Sequence, residues 1–319
     1  MRTGPAAGHS GYHHEALCYS SDEELLATVL PFLLGGVEAG EPTFVALGER
    51  TGGLVRSALP AGVKVEFLPG GDIYARPTVA IRTYRRLLAE LVAEGANQIR
   101  IVGEVPRIAL GPTWDWWARY EAAINRAYDD WPLWSMCAYD TRIMPGIVRA
   151  DVDVTHPYVV TPDGQHLPNP GYLPPEAFLC QQRPVPPDPI QASRPLVELT
   201  GPSAAQARAE VQRAGQGLLP DDEFDDFVVA VSETVTNGLR HGQPPVRFRL
   251  WRGTDRIVAT VSDAGPGPAD PYAGLLPSDA AELGGLGLWI THQSCNHVTH
   301  YRDADGFTLR LTAGRPPAG

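Results

Sequence analysis

The chain has 319 residues, of which 43% are hydrophobic and 20% charged, a composition typical of globular rather than disordered proteins. This length is enough for two domains, each with its own core. The net charge of −11 argues against nucleic acids and anionic membranes as partners, since neither attracts an acidic protein. We therefore expect proteins or small molecules as partners, with no direct nucleic acid and no membrane.

The N-terminal stretch MRTGPAAGHSGYHH contains no apolar segment of the kind found in signal peptides. Elsewhere no apolar run approaches the roughly 20 residues that span a bilayer. Both observations predict a cytoplasmic protein. The four cysteines, Cys18, Cys137, Cys180 and Cys295, form no C-x-x-C pair, so we expect free thiols rather than a disulfide framework or a thiolate zinc site.

Lysine usage excludes two kinds of phosphate chemistry. Lys64 is the only lysine, and it lies in VKVEF (63–67), an alternating pattern that favours a strand. Because no G-x-x-x-x-G-K-[ST] motif occurs, the chain cannot be a Walker-type NTPase. Protein-kinase chemistry that depends on a strand lysine is disfavoured for the same reason.

The first half alternates predicted strands and helices. Residues 1–11 are small and glycine-rich and are expected to be flexible. Capping-box spacing predicts a helix starting near Ser21, with Pro31 kinking it. Further elements are TFVALG (43–48), VKVEF, a helix over 77–94, QIRIVGE (98–104), a helix from Thr113 to Asp130, and LWSMCAYD (133–140). Such alternation predicts an α/β domain with a mainly parallel sheet, helices on both faces and no phosphate loop.

Polar residues suggest two candidate sites in this first domain. His13, His14 and Glu15 could form a metal or phosphoacceptor cluster. Adjacent residues of an extended segment point to opposite sides, however, and no third ligand is evident, so a metal site is disfavoured. Glu104, Tyr139 and Asp140 lie where two predicted strands end, which is the usual place for ligands on an open α/β sheet.

The runs HEALCYSSDEELLATVLPFLLGGVEAGEP, RIVGEVPR and MCAYDTR make residues 12–161 resemble the MEDS sensory domain, a RecA-like α/β module of bacterial regulators. The resemblance implies that this domain senses a small-molecule signal, often hydrocarbon-like. No residue identifies the ligand. Residues 162–195 follow with ten prolines and little apolar periodicity, which predicts a semi-rigid linker.

A second domain is predicted from residue 196. Its strands are LVELTG (196–201), VRFRLWRG, RIVATVSD, HVTHYR and FTLRLT, and its helices begin near Ser203, before Glu233 and near Leu286. Helices followed by paired strands predict an α/β sandwich, in which a mixed sheet carries helices on one face. Residues 314–319 form a C-terminal tail.

Within VVAVSETVTNGLRHG, three polar side chains recur every fourth residue, Glu233, Asn237 and His241. On a helix this spacing places them in one row. An apolar stripe lies roughly opposite and comprises Phe224, Phe227, Val228, Val231, Val235 and Leu239. Taken alone, the row is typical of a solvated helix face.

Two glycine clusters downstream change that interpretation. A strand ends in Asp263-Ala264-Gly265-Pro266-Gly267, and Gly284-Gly285-Leu286-Gly287 opens a later helix. Glycines at a helix N-terminus let backbone N–H groups approach an anion, which the helix dipole also attracts. Either cluster alone is an ordinary turn, but their order after Glu-x-x-x-Asn predicts a phosphate site.

This ordered set resembles the N, G1 and G2 boxes of the GHKL (Bergerat) ATP-binding fold over residues 196–313. SETVTNGLRHG is similar to the anti-sigma-factor serine/threonine kinases. With the MEDS-like first half, it points to the RsbA-type anti-sigma regulators. The resemblance implies ATP and Mg²⁺ as cofactors, with a sigma factor and an anti-sigma antagonist protein as partners.

The resemblance also implies roles for individual residues. Asn237 would bind Mg²⁺, and Glu233 would be the general base that takes a proton from a serine hydroxyl. The role of His241 stays open between catalysis, capping and packing. The implied nucleotide contacts are Asp263 to the adenine amino group, Gly265 and Gly267 beside the ring, Gly285, Leu286 and Gly287 to the phosphates, and Thr308 to an adenine-bound water.

Residues 268–283 contain no Arg or Lys, although phosphoryl transfer benefits from a cation beside Mg²⁺. Three functions remain. The first is a signal-responsive anti-sigma regulator that binds ATP–Mg²⁺ and a sigma factor and can phosphorylate an antagonist. The others are a non-catalytic switch on the same fold, in which nucleotide only sets the affinity for partners, and a sensor histidine kinase. The last needs a dimerising helical hairpin with a phosphoacceptor His where the proline-rich segment lies, which disfavours it. The sequence leaves the oligomeric state open, a homodimer included.

Overall fold

The computed structural model describes residues 2–69, 76–277, 286–303 and 306–315. The chain divides into two compact units, one of Met1–Leu110 and Trp117–Phe178, the other of Gly111–Trp116 and Leu179–Gly319. Within the described ranges, no helix is both long and apolar enough to cross a bilayer.

The first unit is built on a seven-stranded sheet in the order β3-β2-β4-β5-β1-β6-β7. Every neighbouring pair is parallel except β6 and β7. This confirms the predicted mainly parallel α/β domain. The strands are β1 (His13–Tyr19), β2 (Thr43–Ala46), β3 (Glu66–Phe67), β4 (Ile99–Gly103), β5 (Leu133–Asp140), β6 (Tyr158–Val160) and β7 (His166–Pro168).

Six α-helices lie among the described residues up to residue 179, and three of them, Glu49–Ala58, Gly146–Thr155 and Pro175–Leu179, were not predicted. Ser21 caps the first helix by accepting a hydrogen bond from the Glu24 amide at 3.1 Å, as the capping pattern predicts. The helices are α1 (Asp22–Glu38), α2 (Glu49–Ala58), α3 (Pro77–Ala93), α4 (Trp114–Ala127), α5 (Gly146–Thr155) and α6 (Pro175–Leu179).

Strand β1 lies inside the first sheet, between β5 and β6. Its sequence HHEALCY was predicted only as an extended segment, because its first three residues are polar. All three are nonetheless buried, and Leu17 and Tyr19 of the same strand pack in the hydrophobic core. The polar end of β1 therefore needs partners inside the protein, because buried polar groups must be hydrogen-bonded.

The second unit has a five-stranded sheet in the order β11-β12-β10-β9-β8, and all four pairings are antiparallel. The prediction of a mixed sheet was thus wrong in this respect, since hairpins join β9 to β10 and β11 to β12. The strands are β8 (Val197–Thr200), β9 (Arg247–Arg252), β10 (Arg256–Asp263), β11 (His297–Asp303) and β12 (Gly306–Gly314), and the helices are α7 (Ala204–Gly215), α8 (Asp221–His241) and α9 (Leu286–Ser294).

Helix α8 buries most of the predicted apolar stripe. Phe227, Val228, Val231 and Val235 are all buried, but Leu239 is 49% exposed. Gly238 faces inward at that end of the helix. A Cβ on it would lie only 3.3 Å from Val246 Cγ1, so there is little room for a side chain. The stripe therefore ends one turn earlier than the sequence pattern indicates.

Part of the predicted linker is bonded to the second sheet. Asp188 forms a buried ion pair with Arg256 of β10 at 2.9 Å, and Trp251 Nε1 donates to the Ser193 carbonyl at 3.0 Å. Arg310 of β12 donates to the Pro186 carbonyl at 2.8 Å. Residues 186–193 are thus held against the strands rather than spanning free space.

Candidate functional site

A cavity of about 410 Å³ in the second unit collects residues from both glycine motifs and from the polar row of α8. Asn237 and His241 line it from α8, Asp263 from the end of β10, and Gly267 and Gly287 from the two motifs. These residues span 51 positions of sequence, from Asn237 to Gly287, yet face one space. The structure therefore brings together the residues that the ordered motifs single out.

Asp263 lies at the carboxyl end of β10 and is only 7% exposed. Its Oδ1 accepts hydrogen bonds from the backbone amides of Gln243 at 3.0 Å and Gly265 at 2.7 Å. Both bonds use the same oxygen, so the side chain is fixed while Oδ2 can accept from a ligand donor. A carboxylate held in this way suits recognition of an amino group.

The two glycines after Asp263 have different positions. Gly265 is not among the described residues that line the cavity; instead its amide fixes Asp263, and a Cβ there would lie 2.6 Å from Oδ1. Gly267 does line the cavity and adopts a φ of +75°, a backbone conformation that L side chains rarely adopt. A Cβ at Gly267 would lie 2.5 Å from the ring of Phe307, which lines the same cavity.

Gly287, in the first turn of α9, lies against the polar row of α8. A Cβ on this glycine would be 2.9 Å from both Asn237 Nδ2 and Glu233 Oε2. The glycine thus leaves room beside an amide and a carboxylate that are one helical turn apart. Leu286 begins α9 and is 38% exposed, and Gly285 lies outside the described residues.

Of three further predicted site residues, His241 lines the cavity, whereas Glu233 and Thr308 do not. His241 lines it from the last position of α8 and is exposed. Glu233 lies one helical turn before Asn237 and adjoins it at Gly287, but it is not among the described residues that line the cavity. Thr308 is buried in β12 between Phe307 and Leu309, and those two neighbours line the cavity while Thr308 does not. Side chains alternate along a strand, so Thr308 belongs to the other face of the sheet.

Positive charge is sparse around this cavity. Among the described lining residues, His241 is the one side chain that can carry a positive charge. Arg302 is the first arginine or lysine after residues 268–283, and its guanidinium donates to the Pro266 carbonyl inside the Asp263–Gly267 turn. Sequence reasoning did not place this arginine beside the turn, because hairpin pairing of β11 with β12 brings it there.

A second cavity, of about 720 Å³, lies within the first unit. Tyr19, Glu104, Tyr139 and Asp140 line it, so the polar residues predicted at the strand ends do meet in one pocket. Glu104 is fixed because its Oε1 accepts from the Gly48 amide and from Thr51 Oγ1, each at 2.6 Å.

Charge and burial set the protonation of this pocket. Hydrogen bonds from Arg142 lower the pKa of Asp140 below its ordinary value, so it is a carboxylate at neutral pH. Burial, with help from Glu104 and Asp140, raises the pKa of Tyr19 to about 12. Tyr19 therefore remains a hydroxyl that can donate a hydrogen bond.

His13, His14 and Glu15, whose grouping into one metal site the sequence disfavours, point to two different faces, as alternation along a strand requires. His13 and Glu15 lie together, with Nε2 and Oε2 3.8 Å apart, and Glu15 also accepts from Trp134 Nε1 at 2.7 Å. His14 points away from them and contacts Asn125. The three residues thus do not form one site.

Two family models match separate parts of the chain. Residues 13–157 match the MEDS family, described as the MEthanogen/methylotroph, DcmR Sensory domain. Residues 198–313 match the histidine kinase-like ATPase domain family. The chain therefore carries a MEDS domain followed by a histidine kinase-like ATPase domain.

Individual relatives match the second part. The serine-protein kinase RsbW of Staphylococcus aureus strain MSSA476 is 25% identical over 147 residues, covering 39% of this chain and 89% of that protein. RsbW of Staphylococcus epidermidis is 25% identical over 143 residues, covering 38% of this chain and 88% of that protein. The NMR structure of the histidine kinase domain of the E. coli osmosensor EnvZ aligns at 18% identity over 40% of this chain and 93% of that chain, with a TM-score of 0.23, too low to support an inference.

Proposed function

We propose that the protein is a signal-responsive anti-sigma regulator whose second domain binds ATP with Mg²⁺ and holds a sigma factor. One observation carries this proposal: Asn237, Asp263, Gly267 and Gly287 line a single cavity. Similarity to the RsbW serine-protein kinases supports an anti-sigma role over other uses of the same fold.

The residues present fit a nucleotide with a divalent cation. Oδ1 of Asn237 is a hard oxygen ligand suited to Mg²⁺. Oδ2 of Asp263 would accept from the adenine amino group, and Gly265 would act through Asp263 by fixing its carboxylate. Backbone groups at Leu286 and Gly287, with Gly285 preceding them, would bind phosphate at the N-terminus of α9. Bound Mg²⁺ would neutralise phosphate charge and prepare it for transfer.

For phosphoryl transfer, Glu233 is the candidate general base. Its carboxylate adjoins Asn237 at Gly287, where it could take the proton of a serine or threonine hydroxyl of an antagonist protein. The role of His241 stays open, since it lines the cavity but is exposed at the end of its helix. Thr308 faces away from the cavity, so we do not assign it a contact with an adenine-bound water.

We propose that the first domain senses the signal. Its 720 Å³ cavity is the size of a small-molecule site, and it combines carboxylates with the hydroxyl of Tyr19. We propose that a small molecule binding there alters the affinity of the protein for its sigma factor or for the antagonist.

Isothermal titration calorimetry with ATP and Mg²⁺ tests the nucleotide site. Asn237→Ala and Asp263→Ala should abolish measurable binding, while Asp226→Ala, an exposed change on the same helix α8, should leave the affinity unchanged. Wild-type affinity in either cavity variant would refute the site assignment.

A second candidate function is a non-catalytic switch, in which the nucleotide only sets affinity for partners. The sparse positive charge around the cavity favours it, since phosphoryl transfer needs charge neutralisation. Affinity capture of partners with and without ATP, followed by transfer assays with labelled ATP, separates the two functions. Capture that responds to ATP without labelling of any partner would leave the switch and exclude the kinase.

A further inference from the structure

Four potential ligand side chains converge inside the first unit, from four separate elements. They are His14 of β1, Glu121 of α4, Cys137 of β5 and His156, which directly follows α5. One nitrogen, oxygen or sulfur atom from each lies within 4.8 Å of all the others. His14, Glu121 and His156 are buried, with at most 1% exposure, and Cys137 is partly accessible.

Hydrogen bonding fixes which nitrogen of His14 faces the cluster. The amide nitrogen of Asn125 donates to the carbonyls of Glu121, Ala122 and Thr155, so its Oδ1 is turned toward His14. His14 Nδ1 lies 3.0 Å from that oxygen and must carry the hydrogen. The lone pair of His14 Nε2 therefore points at Cys137 Sγ, 3.3 Å away.

The ring of His156 is oriented in the same way. Its Nδ1 lies 3.0 Å from the carbonyl oxygen of Val152, an acceptor only, so Nδ1 carries the hydrogen. The lone pair of Nε2 then points toward Glu121 Oε2 at 3.5 Å. Histidines that ligate a metal hold their second ring nitrogen with just such an acceptor.

Acceptor atoms thus face one another in the middle of the cluster. Glu121 Oε2 lies 3.6 Å from His14 Nε2 and 3.5 Å from His156 Nε2. Within the part of the chain that the structure describes, neither Glu121 Oε2 nor His156 Nε2 has a hydrogen-bond partner. Buried polar atoms normally have one, so these two atoms are available to ligate a cation placed between them.

We propose that these four side chains form a metal site that holds one Zn²⁺ ion. Ligands around zinc at about 2.0–2.3 Å stand roughly 3.3–3.8 Å apart in a tetrahedron. Three of the six separations, at 3.3, 3.5 and 3.6 Å, match those edges, and the other three are within 4.8 Å. Thiolate with two imidazoles selects zinc over magnesium or calcium, and four protein ligands describe a closed, structural site.

The electrostatics of the cluster agree with this geometry. Burial lowers the pKa of His156 to about 4 and that of His14 well below its ordinary value, so both imidazoles are neutral and able to ligate. Burial raises the pKa of Glu121 to about 8 and holds the pKa of the Cys137 thiol well above its ordinary value. Zinc binding would displace the thiol proton, and any carboxyl proton, to solvent.

Cobalt substitution tests the site in the full-length protein. Metal-free protein should take up one Co²⁺ per chain with a thiolate-to-cobalt charge-transfer band, and Zn²⁺ should displace it. Cys137→Ser should abolish the band. Cys18→Ser is the matched control, because Cys18 is a partly buried thiol of β1 outside the cluster, and it should keep the band. A magnesium site in the second domain could not produce this band, since it offers no thiolate.

A histidine variant tests the site independently in case Cys137→Ser does not fold. His156→Gln, checked for native circular dichroism, should weaken Zn²⁺ binding at least tenfold, and Zn²⁺ should raise the unfolding temperature of the wild type but not of this variant. Folded wild type without the band, a band that survives in Cys137→Ser, or unchanged affinity in folded His156→Gln would each overturn the proposal.

Discussion

Gly287 lies so close to Asn237 that a Cβ on the glycine would be 2.9 Å from the amide nitrogen Nδ2. Real Cβ atoms essentially never approach a heavy atom this closely. The same Cβ would be equally close to Glu233 Oε2, so the glycine keeps open the space beside both polar side chains.

Gly287→Ala should therefore weaken ATP binding while leaving the domain folded. Alanine is favourable in a helix, but overpacking costs about 1–3 kcal/mol. If this cost weakens ATP binding rather than folding, it corresponds to roughly a fivefold to hundredfold loss of affinity. Calorimetry with ATP and Mg²⁺ measures the effect. Gly53→Ala in helix α2 is the control, because a Cβ there would meet nothing within 4 Å. Equal affinities of the two variants would contradict a role for Gly287 in holding the site open.

Glu233→Gln separates catalysis from nucleotide binding. The amide keeps the shape of the side chain but cannot accept the hydroxyl proton, so transfer from labelled ATP to an antagonist should fall about 10²–10⁴-fold. ATP affinity should change little. Asp225→Asn, an exposed change on the same helix, should leave both quantities unaltered. If transfer by Glu233→Gln equals that of the wild type, Glu233 is not the base.

Periodic apolar patterns allowed most elements to be predicted. Helix α4 and strand β5 were predicted from Thr113–Asp130 and 133–140, and the structure has them at Trp114–Ala127 and Leu133–Asp140. Strand β1 was not predicted because it begins with polar side chains. Their buried partners, such as Trp134 and Asn125, are more than a hundred residues away in the sequence. Local sequence carries no signal for such distant pairing.

The candidate sites differ in how far the sequence revealed them. In the second domain, local motifs name Asn237, Asp263, Gly267 and Gly287, and the fold only has to bring them together. For the proposed zinc cluster of the first domain, the sequence singled out only His14 as a candidate ligand, since Glu121, Cys137 and His156 follow no short motif. Their meeting depends on parallel pairing of β1 with β5, which no spacing in the sequence encodes.

A buried ion pair in the first unit should be sensitive to loss of one partner. Arg100 Nε donates to Glu41 Oε2 at 2.6 Å, with both side chains less than 10% exposed. Glu41→Ala leaves the guanidinium buried without its counter-charge and should lower the free energy of unfolding by about 3–5 kcal/mol. Urea unfolding measures the loss.

The surface pair Arg86–Glu90 provides the control for this prediction. Its side chains are 77% and 64% exposed and 3.9 Å apart, so Glu90→Ala should change stability little. The double change Glu41→Leu with Arg100→Met should cost less than Glu41→Ala alone, because no charge is then left buried. If Glu41→Ala and the double variant are equally stable, the loss of stability comes from altered packing rather than from the unpaired charge of Arg100.

Asp140 should make the stability of the first unit dependent on acid pH. Arg142 donates to its two oxygens, each at 2.7 Å, and lowers its pKa below the ordinary 3.8. A carboxyl with a lowered folded pKa stabilises the protein above its unfolded pKa, and that contribution is lost as pH falls through the folded pKa. Asp140→Asn should therefore reduce the decline in the free energy of unfolding below about pH 3.8.

Asp153→Asn, which breaks only the exposed pair with Arg149, should keep the wild-type decline in urea titrations across this range. Parallel pH curves for wild type and Asp140→Asn would rule out the proposed contribution of Asp140.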